Sequence, residues 1–189
     1  MNWKQIRRLS GCLVLACGVA LSGACSDDDA GLPEAVCVEF TPAEAPEAGK
    51  VVARAGAEST CDVAVVEIVA TDIDDVFSIE ADVLYDNVVV RYLGFDAGGS
   101  VLAADGVGIV PIVSEVEGGR ITLGIARSAS TGIDVSGTRL VVKLFFLNNL
   151  IAGTTGSLTL TDECLRGSEE PPDDVKPGLT CAGGTFIIN

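Results

Sequence analysis

Residues 77–95 read FSIEADVLYDNVVVRYLGF and carry the clearest structural signal in the chain. From Phe77 to Tyr85 every second residue is apolar, and the residues between them are mostly polar. Successive side chains of a β-strand point to opposite faces, so this period of two is typical of a strand with one face on a core. Asp86-Asn87 then marks a turn before the apolar residues resume. The stretch therefore predicts two consecutive strands.

The same period recurs further along the chain. Alternating runs are found at residues 121–126, 139–146 and 157–161. Residues 63–70 and 107–113 are more continuously apolar, which is typical of strands covered on both sides or near the centre of a sheet. Turn signals separate these runs, and no segment after the N-terminal region shows a long helical period. About nine short strands with frequent turns predict an all-β fold, an antiparallel β-sandwich.

Residues 1–24 have the layout of a secretory signal peptide. A basic head with Lys4, Arg7 and Arg8 precedes an apolar run that ends in small residues before Cys25. The run is too short for a comfortable membrane span. Because a cysteine follows the small residues directly, the segment resembles a bacterial lipoprotein signal, in which Cys25 becomes the lipidated first residue. The alternative is an ordinary secretory signal with a chance cysteine.

The lipoprotein interpretation predicts an exported protein that is anchored to the bacterial cell envelope by its lipid. Ser26 does not match the aspartate that marks inner-membrane retention in some bacteria, which favours the outer membrane or the cell surface. Residues 25–49 then form a tether with room for a first strand. Residues 50–189 form one domain, which is long enough to bury a core.

Charge excludes one class of partner. Without the three basic residues of the signal, nine Lys and Arg remain against 27 acidic residues, a formal charge of −18. Such a chain is repelled by nucleic acids and by anionic membrane surfaces. We therefore expect no nucleic-acid binding, and contact with the membrane through the lipid anchor alone.

Four cysteines remain besides Cys25: Cys37, Cys61, Cys164 and Cys181. An even number in an exported chain favours disulfides. Three connectivities are open, and the sequential pairs Cys37–Cys61 and Cys164–Cys181 are weakly favoured, since the second would hold the acidic loop at residues 167–177. Zinc is a poor alternative because the chain has no histidine and no close Cys-x-x-Cys pair.

The strand–Tyr-Asp–strand stretch at residues 77–95 resembles the signature of cohesin domains. Segments that resemble later parts of that family follow in the same order, at residues 102–106, 119–126, 135–146, 156–161 and 183–188. The resemblance covers roughly residues 50–189. It implies a jelly-roll sandwich of nine strands and a binding module, not an enzyme. Cohesins hold a dockerin, a small calcium-loaded helical module, on one face of a sheet.

The chain departs from the family at several positions. Asn87 replaces the proline that follows Tyr-Asp, and asparagine tolerates the same turn. Ser78 and Glu80 stand where the family commonly has an asparagine and an aspartate facing the partner, and Arg127 stands where it often has an acidic residue. The partner-binding face that the resemblance implies consists of Ser78, Glu80, Asp82, Thr122 and Arg127.

Other kinds of chemistry have little support. The absence of histidine excludes Ser-His-Asp and Cys-His nucleophilic systems. Asp72, Asp74 and Asp75 sit in what the pattern indicates is an inter-strand turn. A solvated acidic turn is the favoured interpretation. The alternatives are a Ca²⁺ site, for which these residues are weak candidates and which would be the only cofactor, and a carboxylate pair for glycoside hydrolysis. Polysaccharide is the alternative partner, although only Tyr85 and Tyr92 are available to stack on sugar rings once the signal is removed.

Overall fold

The computed structural model describes residues 36–149, 152–161, 164–168 and 179–189. The predicted signal peptide (residues 1–24), the lipidation site Cys25 and most of the loop at residues 167–177 lie outside the described residues. Within the described ranges no helix is both long and apolar enough to cross a membrane.

Strands and a single short 3₁₀ helix, Val101–Ala103, make up the regular structure of the described residues. In chain order the strands are β1 (Val38–Pro42), β2 (Lys50–Ala55), β3 (Val63–Val76), β4 (Ser78–Tyr85), β5 (Val90–Asp96), β6 (Ile109–Glu117), β7 (Arg120–Arg127), β8 (Ile133–Asn148), β9 (Thr155–Leu160), β10 (Leu165–Arg166), β11 (Thr180–Ala182) and β12 (Gly184–Ile188).

The strands form two sheets. The first sheet has the order β1-β12-β9-β4-β7-β6, with β10 also paired to β4, and the second sheet has the order β11-β2-β3-β8-β5. The predicted all-β jelly-roll sandwich is confirmed. Its strands number twelve in the described residues where about nine were expected, and β10 and β11 contribute only two and three residues. Since β1 pairs with β12, the sandwich includes residues on the N-terminal side of residue 50.

One pair of strands departs from the antiparallel pattern. β11 runs parallel to β2 at the edge of the second sheet, with Cys181 opposite Val51. A tight hairpin forces neighbouring strands to be antiparallel, but β2 and β11 are far apart in sequence, so no hairpin constrains their direction.

Apolar residues from both sheets meet in one core. The alternation predicted around residue 79 is confirmed, because Ile79 and Val83 are buried on β4 while Glu80 between them is exposed. Phe146 of β8 lies at the centre of an aromatic group, with ring centroids 5.2 Å from Tyr85 and 5.0 Å from Phe186. Tilted rings at such distances add to the stability gained from burial.

Two disulfides link the sheets. Cys37 pairs with Cys61 and Cys164 pairs with Cys181, as the sequential pairing predicts. Cys37 immediately precedes β1 in the first sheet and Cys61 lies before β3 in the second. Cys164 immediately precedes β10 in the first sheet, while Cys181 belongs to β11 in the second. Each bond therefore closes one side of the sandwich covalently.

Candidate partner-binding face

The outer face of the first sheet carries residues predicted to bind a partner, and their neighbours, in rows that cross β6, β7 and β4. In one row Ile112, Gly124 and Glu80 lie side by side, since Gly124 pairs with both of the others. In the next row Thr122 of β7 lies between Ser114 and Asp82. Strand alternation places these side chains on the side of the sheet away from the core.

One side of this face is apolar. Val110 and Ile112 on β6 are 51% and 65% exposed, and the neighbouring positions on β7 are Ala126 and Gly124. The small residues leave a shallow groove of about 550 Å³ between β6 and β4. Exposed apolar side chains along a groove are typical of a surface that contacts another molecule.

The other side of the groove is charged, and its charges are paired. Arg120 Nη2 donates to Asp82 Oδ2 at 2.7 Å, and Thr122 Oγ1 donates to Asp82 Oδ1 at 3.2 Å. The hydrogen bond from Arg120 is the main reason that the pKa of Asp82 lies below its ordinary value, and it raises the pKa of Arg120 in return. Arg166 of β10 donates from Nε to Glu80 Oε2 at 3.1 Å. Both carboxylates of the groove therefore have a guanidinium partner.

No family model and no curated protein matches the chain. Several solved structures do match it. The third cohesin ScaC of Acetivibrio cellulolyticus, in complex with the ScaB dockerin, has a TM-score of 0.52 at 14% identity, covering 67% of this chain and 90% of that one. The seventh ScaB type I cohesin of Pseudobacteroides cellulosolvens has a TM-score of 0.52 at 14% identity, over 74% and 90%. CaCohA2 from Clostridium acetobutylicum has a TM-score of 0.51 at 18% identity, over 80% and 90%. The chain therefore has a cohesin-like fold.

Three residues predicted for the partner face of this cohesin-like domain lie together on the outer side of the first sheet: Glu80, Asp82 and Thr122. Ser78 lies on the same side of β4 but is only 2% exposed. β10 runs beside it, and Arg166, its partner across the two strands, reaches over to Glu80. The Ser78 hydroxyl is 3.5 Å from Glu80 Oε1. Ser78 therefore contacts Glu80 but offers a partner little exposed surface.

The placement of Arg127 on the partner face was wrong. Thr122 and Arg127 are five residues apart on β7, and an odd separation in a strand puts two side chains on opposite faces. Arg127 is 4% exposed and points inward, where it donates from Nη2 to Asp105 Oδ2 at 2.6 Å and from Nε to the Thr131 carbonyl at 3.1 Å. It closes the end of the sandwich and does not face a partner.

Sequence reasoning missed the groove's apolar side and its cations. The apolar run at residues 107–113 predicts a strand covered on both sides or near the centre of a sheet, but β6 is an edge strand of the first sheet and most of it is exposed. A signal was present in Pro111, because proline within a sheet is confined mainly to edge strands. Arg120 and Arg166 could not be found in this way, since their pairing depends on which strands become neighbours.

Asp72, Asp74 and Asp75 are the weak candidates for a Ca²⁺ site. They lie within the end of β3 and not in a turn between strands, and Asp72 and Asp75 have positive φ angles of 44° and 49°. Asp72 accepts a hydrogen bond from Gly137 N at 2.6 Å. Asp75 accepts from Gly132 N at 3.1 Å and from the Ser168 hydroxyl at 2.6 Å. No group of three or more His, Cys, Asp or Glu in the described ranges could hold a metal ion.

The two tyrosines offer no platform for a sugar ring. Tyr85 is 6% exposed, and its hydroxyl donates to Glu115. Tyr92 is half-buried and packs on Phe146 with a centroid distance of 5.8 Å. Burial is the main cause that raises the pKa of each tyrosine to about 12. Polysaccharide binding by ring stacking therefore has no support in the residues described.

Proposed function

We propose that this protein is a cell-envelope module that docks a dockerin-type protein on the outer face of the first sheet. One observation carries the proposal. On a cohesin-like sandwich, Val110 and Ile112 stand exposed beside a groove whose charges are already paired. The ScaC cohesin, which shares the fold, was solved with a dockerin bound.

Docking fits this face better than catalysis does. A carboxyl group that donates a proton near neutral pH needs a raised pKa. The pKa of Asp82 is instead lowered, chiefly by Arg120, and Glu80 is paired with Arg166. Carboxylates that are paired with guanidinium groups are suited to fixing the register of a protein partner. These pairs support a module that binds a partner and is not an enzyme.

Export and anchoring are part of the same proposal. Residues 1–24 direct export, Cys25 carries the lipid, and the residues that follow tether the domain at the outer membrane or cell surface. The two disulfides support export, because such bonds persist in oxidising compartments. Mass spectrometry of the N-terminal peptide from the native envelope tests this part. An unmodified Cys25, or its absence from the mature protein, would contradict it.

Calorimetric titration with a panel of dockerin modules, including the ScaB dockerin, tests the docking. We expect at least one dockerin to bind when calcium is present. This binding should be lost when a chelator removes the calcium. Ile112→Arg should abolish binding, because it places a large charge on the apolar side of the groove. Leu93→Arg is the matched control, since Leu93 is 50% exposed on β5 of the second sheet. Binding that is insensitive to Ile112→Arg, or no binding to any dockerin, would overturn the proposal.

A further inference from the structure

We propose that a slot formed by Ile112, Gly124 and Glu80 receives one uncharged aliphatic side chain of the docked protein. This Gly124 slot rests on the proposed function and makes it more specific. It names the chemistry of the group at the centre of the contact and Gly124 as the residue that selects it.

The shape of the slot follows from the register of three strands. Gly124 of β7 has Ile112 on one side and Glu80 on the other. Two larger side chains therefore stand on either side of a position that has none. Ala126, the next outward-facing residue on β7, keeps the groove low in that direction as well. The gap has the width of one strand, which suits a single inserted side chain.

The charges around the slot argue against a cationic occupant. Glu80 is neutralised by Arg166, and Asp82 in the next row is neutralised by Arg120. Nearest to the open space is Ile112, which is 65% exposed. A lysine placed there would lose hydration without gaining a free carboxylate, whereas a leucine would bury its surface against Ile112. The site is a neutral, half-apolar patch on an otherwise acidic protein.

The backbone at Gly124 leaves room for a Cβ atom. A Cβ atom at this position would meet the Ile112 carbonyl oxygen at 3.5 Å and Ile112 Cβ at 3.8 Å, both ordinary contacts. Valine favours strands, so Gly124→Val should fold at least as well as the parent protein while filling the slot from its floor. Thr159→Val is the matched control, because Thr159 is an exposed residue of β9 outside the groove lining.

The test is NMR titration of the ¹⁵N-labelled protein with two probes, N-acetyl-leucinamide and N-acetyl-lysinamide. We expect the leucine probe to shift the amide signals of Ile112 and Gly124 and to bind at least about tenfold more tightly than the lysine probe. Gly124→Val should remove these shifts and Thr159→Val should keep them. Equal or tighter binding of the lysine probe, no shift at Gly124, or shifts that survive Gly124→Val would overturn the slot.

The outcome is separable from that of the proposed function. A dockerin that is blocked by Ile112→Arg, together with no leucine preference at Gly124, would overturn the slot alone. A leucine preference at Gly124 with no dockerin bound would overturn dockerin docking and leave an aliphatic site for another protein. Both conclusions require that Gly124→Val is folded, so its near-ultraviolet circular dichroism spectrum must match that of the parent protein.

Discussion

Arg127 is a cation buried at the end of an apolar sandwich. Its guanidinium donates to the Leu102 carbonyl at 2.5 Å, to the Thr131 carbonyl at 3.1 Å and to the carboxylate of Asp105. Buried charges persist only where such partners replace the lost water. Arg127 therefore joins β7 to the 3₁₀ helix and to the loop before β8.

Replacement of Arg127 by leucine should lower the free energy of unfolding by about 2–4 kcal/mol, because two carbonyl groups lose their donor and an ion pair is lost. Arg139→Leu is the control, since Arg139 is exposed and donates to Ser136 O on the surface. Arg139→Leu should lower the free energy of unfolding by no more than about 0.5 kcal/mol. Urea unfolding measures both variants, and equal losses would contradict the structural role of Arg127.

Tyr85 and Tyr92 contribute differently although both are packed on Phe146. The Tyr85 hydroxyl donates to Glu115, while the Tyr92 hydroxyl is buried without a hydrogen-bond partner among the described residues. Tyr92→Phe should therefore leave stability unchanged or raise it slightly, and Tyr85→Phe should lower it by about 1–2 kcal/mol. Thermal unfolding compares the two, and a larger loss for Tyr92→Phe would show that its hydroxyl has a partner.

Among the elements, β10 has the most specific role. It contributes two residues beside β4, with Arg166 on Glu80, and Cys164 immediately before it is bonded to β11. Ser168, just beyond it, donates to Asp75. The short strand is thus held at both ends, and this is what places a guanidinium at the groove.

The two disulfides should contribute equally to the free energy of unfolding, but only one of them should affect the groove. They close loops with sequence separations of 24 and 17 residues, so each double alanine variant should lose about 3 kcal/mol. Only Cys164→Ala with Cys181→Ala should shift the NMR signals of Glu80 and Arg166, because it frees β10. Equal shifts in the Cys37→Ala, Cys61→Ala variant would contradict the role of β10.

β6 exposes apolar side chains at the edge of a sheet, an arrangement that invites further strands to add. Pro111 has no backbone N–H to offer such a strand. Pro111→Val should therefore increase self-association, measured by light scattering over a concentration series. Pro111→Lys restores the same N–H but adds a charge and should remain monomeric. If both variants stay monomeric, Pro111 does not protect this edge.

At the scale of the whole molecule, acidic residues outnumber basic ones, and arginines lower the pKa values of two aspartates. Arg120 lowers the pKa of Asp82, and Arg127 lowers the pKa of Asp105, each from an ordinary value of 3.8. A lowered pKa in the folded state contributes stability that is complete above the unfolded value and lost as the pH falls through the folded one.

Stability towards urea should therefore decline as the pH falls below 3.8. Asp105→Asn should be less stable than the parent protein at neutral pH. Its free energy of unfolding should fall by less than that of the parent protein on acidification to about pH 3. Asp62→Asn is the control, because Asp62 is exposed and makes no ion pair in the part of the chain described here. An unchanged acid response in Asp105→Asn would show that the pair with Arg127 does not couple folding to pH.

Much of the fold was predictable because strand alternation is local. The alternation between Phe77 and Tyr85 identified β4 and its buried face, and the cysteine count with export favoured disulfides that the structure pairs as expected. The short strands β10 and β11 carry too few residues for any period to show. The apolar residues of β6 alone predict a covered strand, because a strand's apolar pattern does not encode its neighbours in a sheet. Pro111 was the one local signal of an edge.

Period, charge and cysteine number were thus readable from the chain alone, because each depends on residues taken one strand at a time. The groove was decided by tertiary structure. Ile112, Gly124 and Glu80 come from three strands, and Arg166 comes from a fourth. Only the order and register of the sheet bring them to one place, and register is set by packing between distant segments.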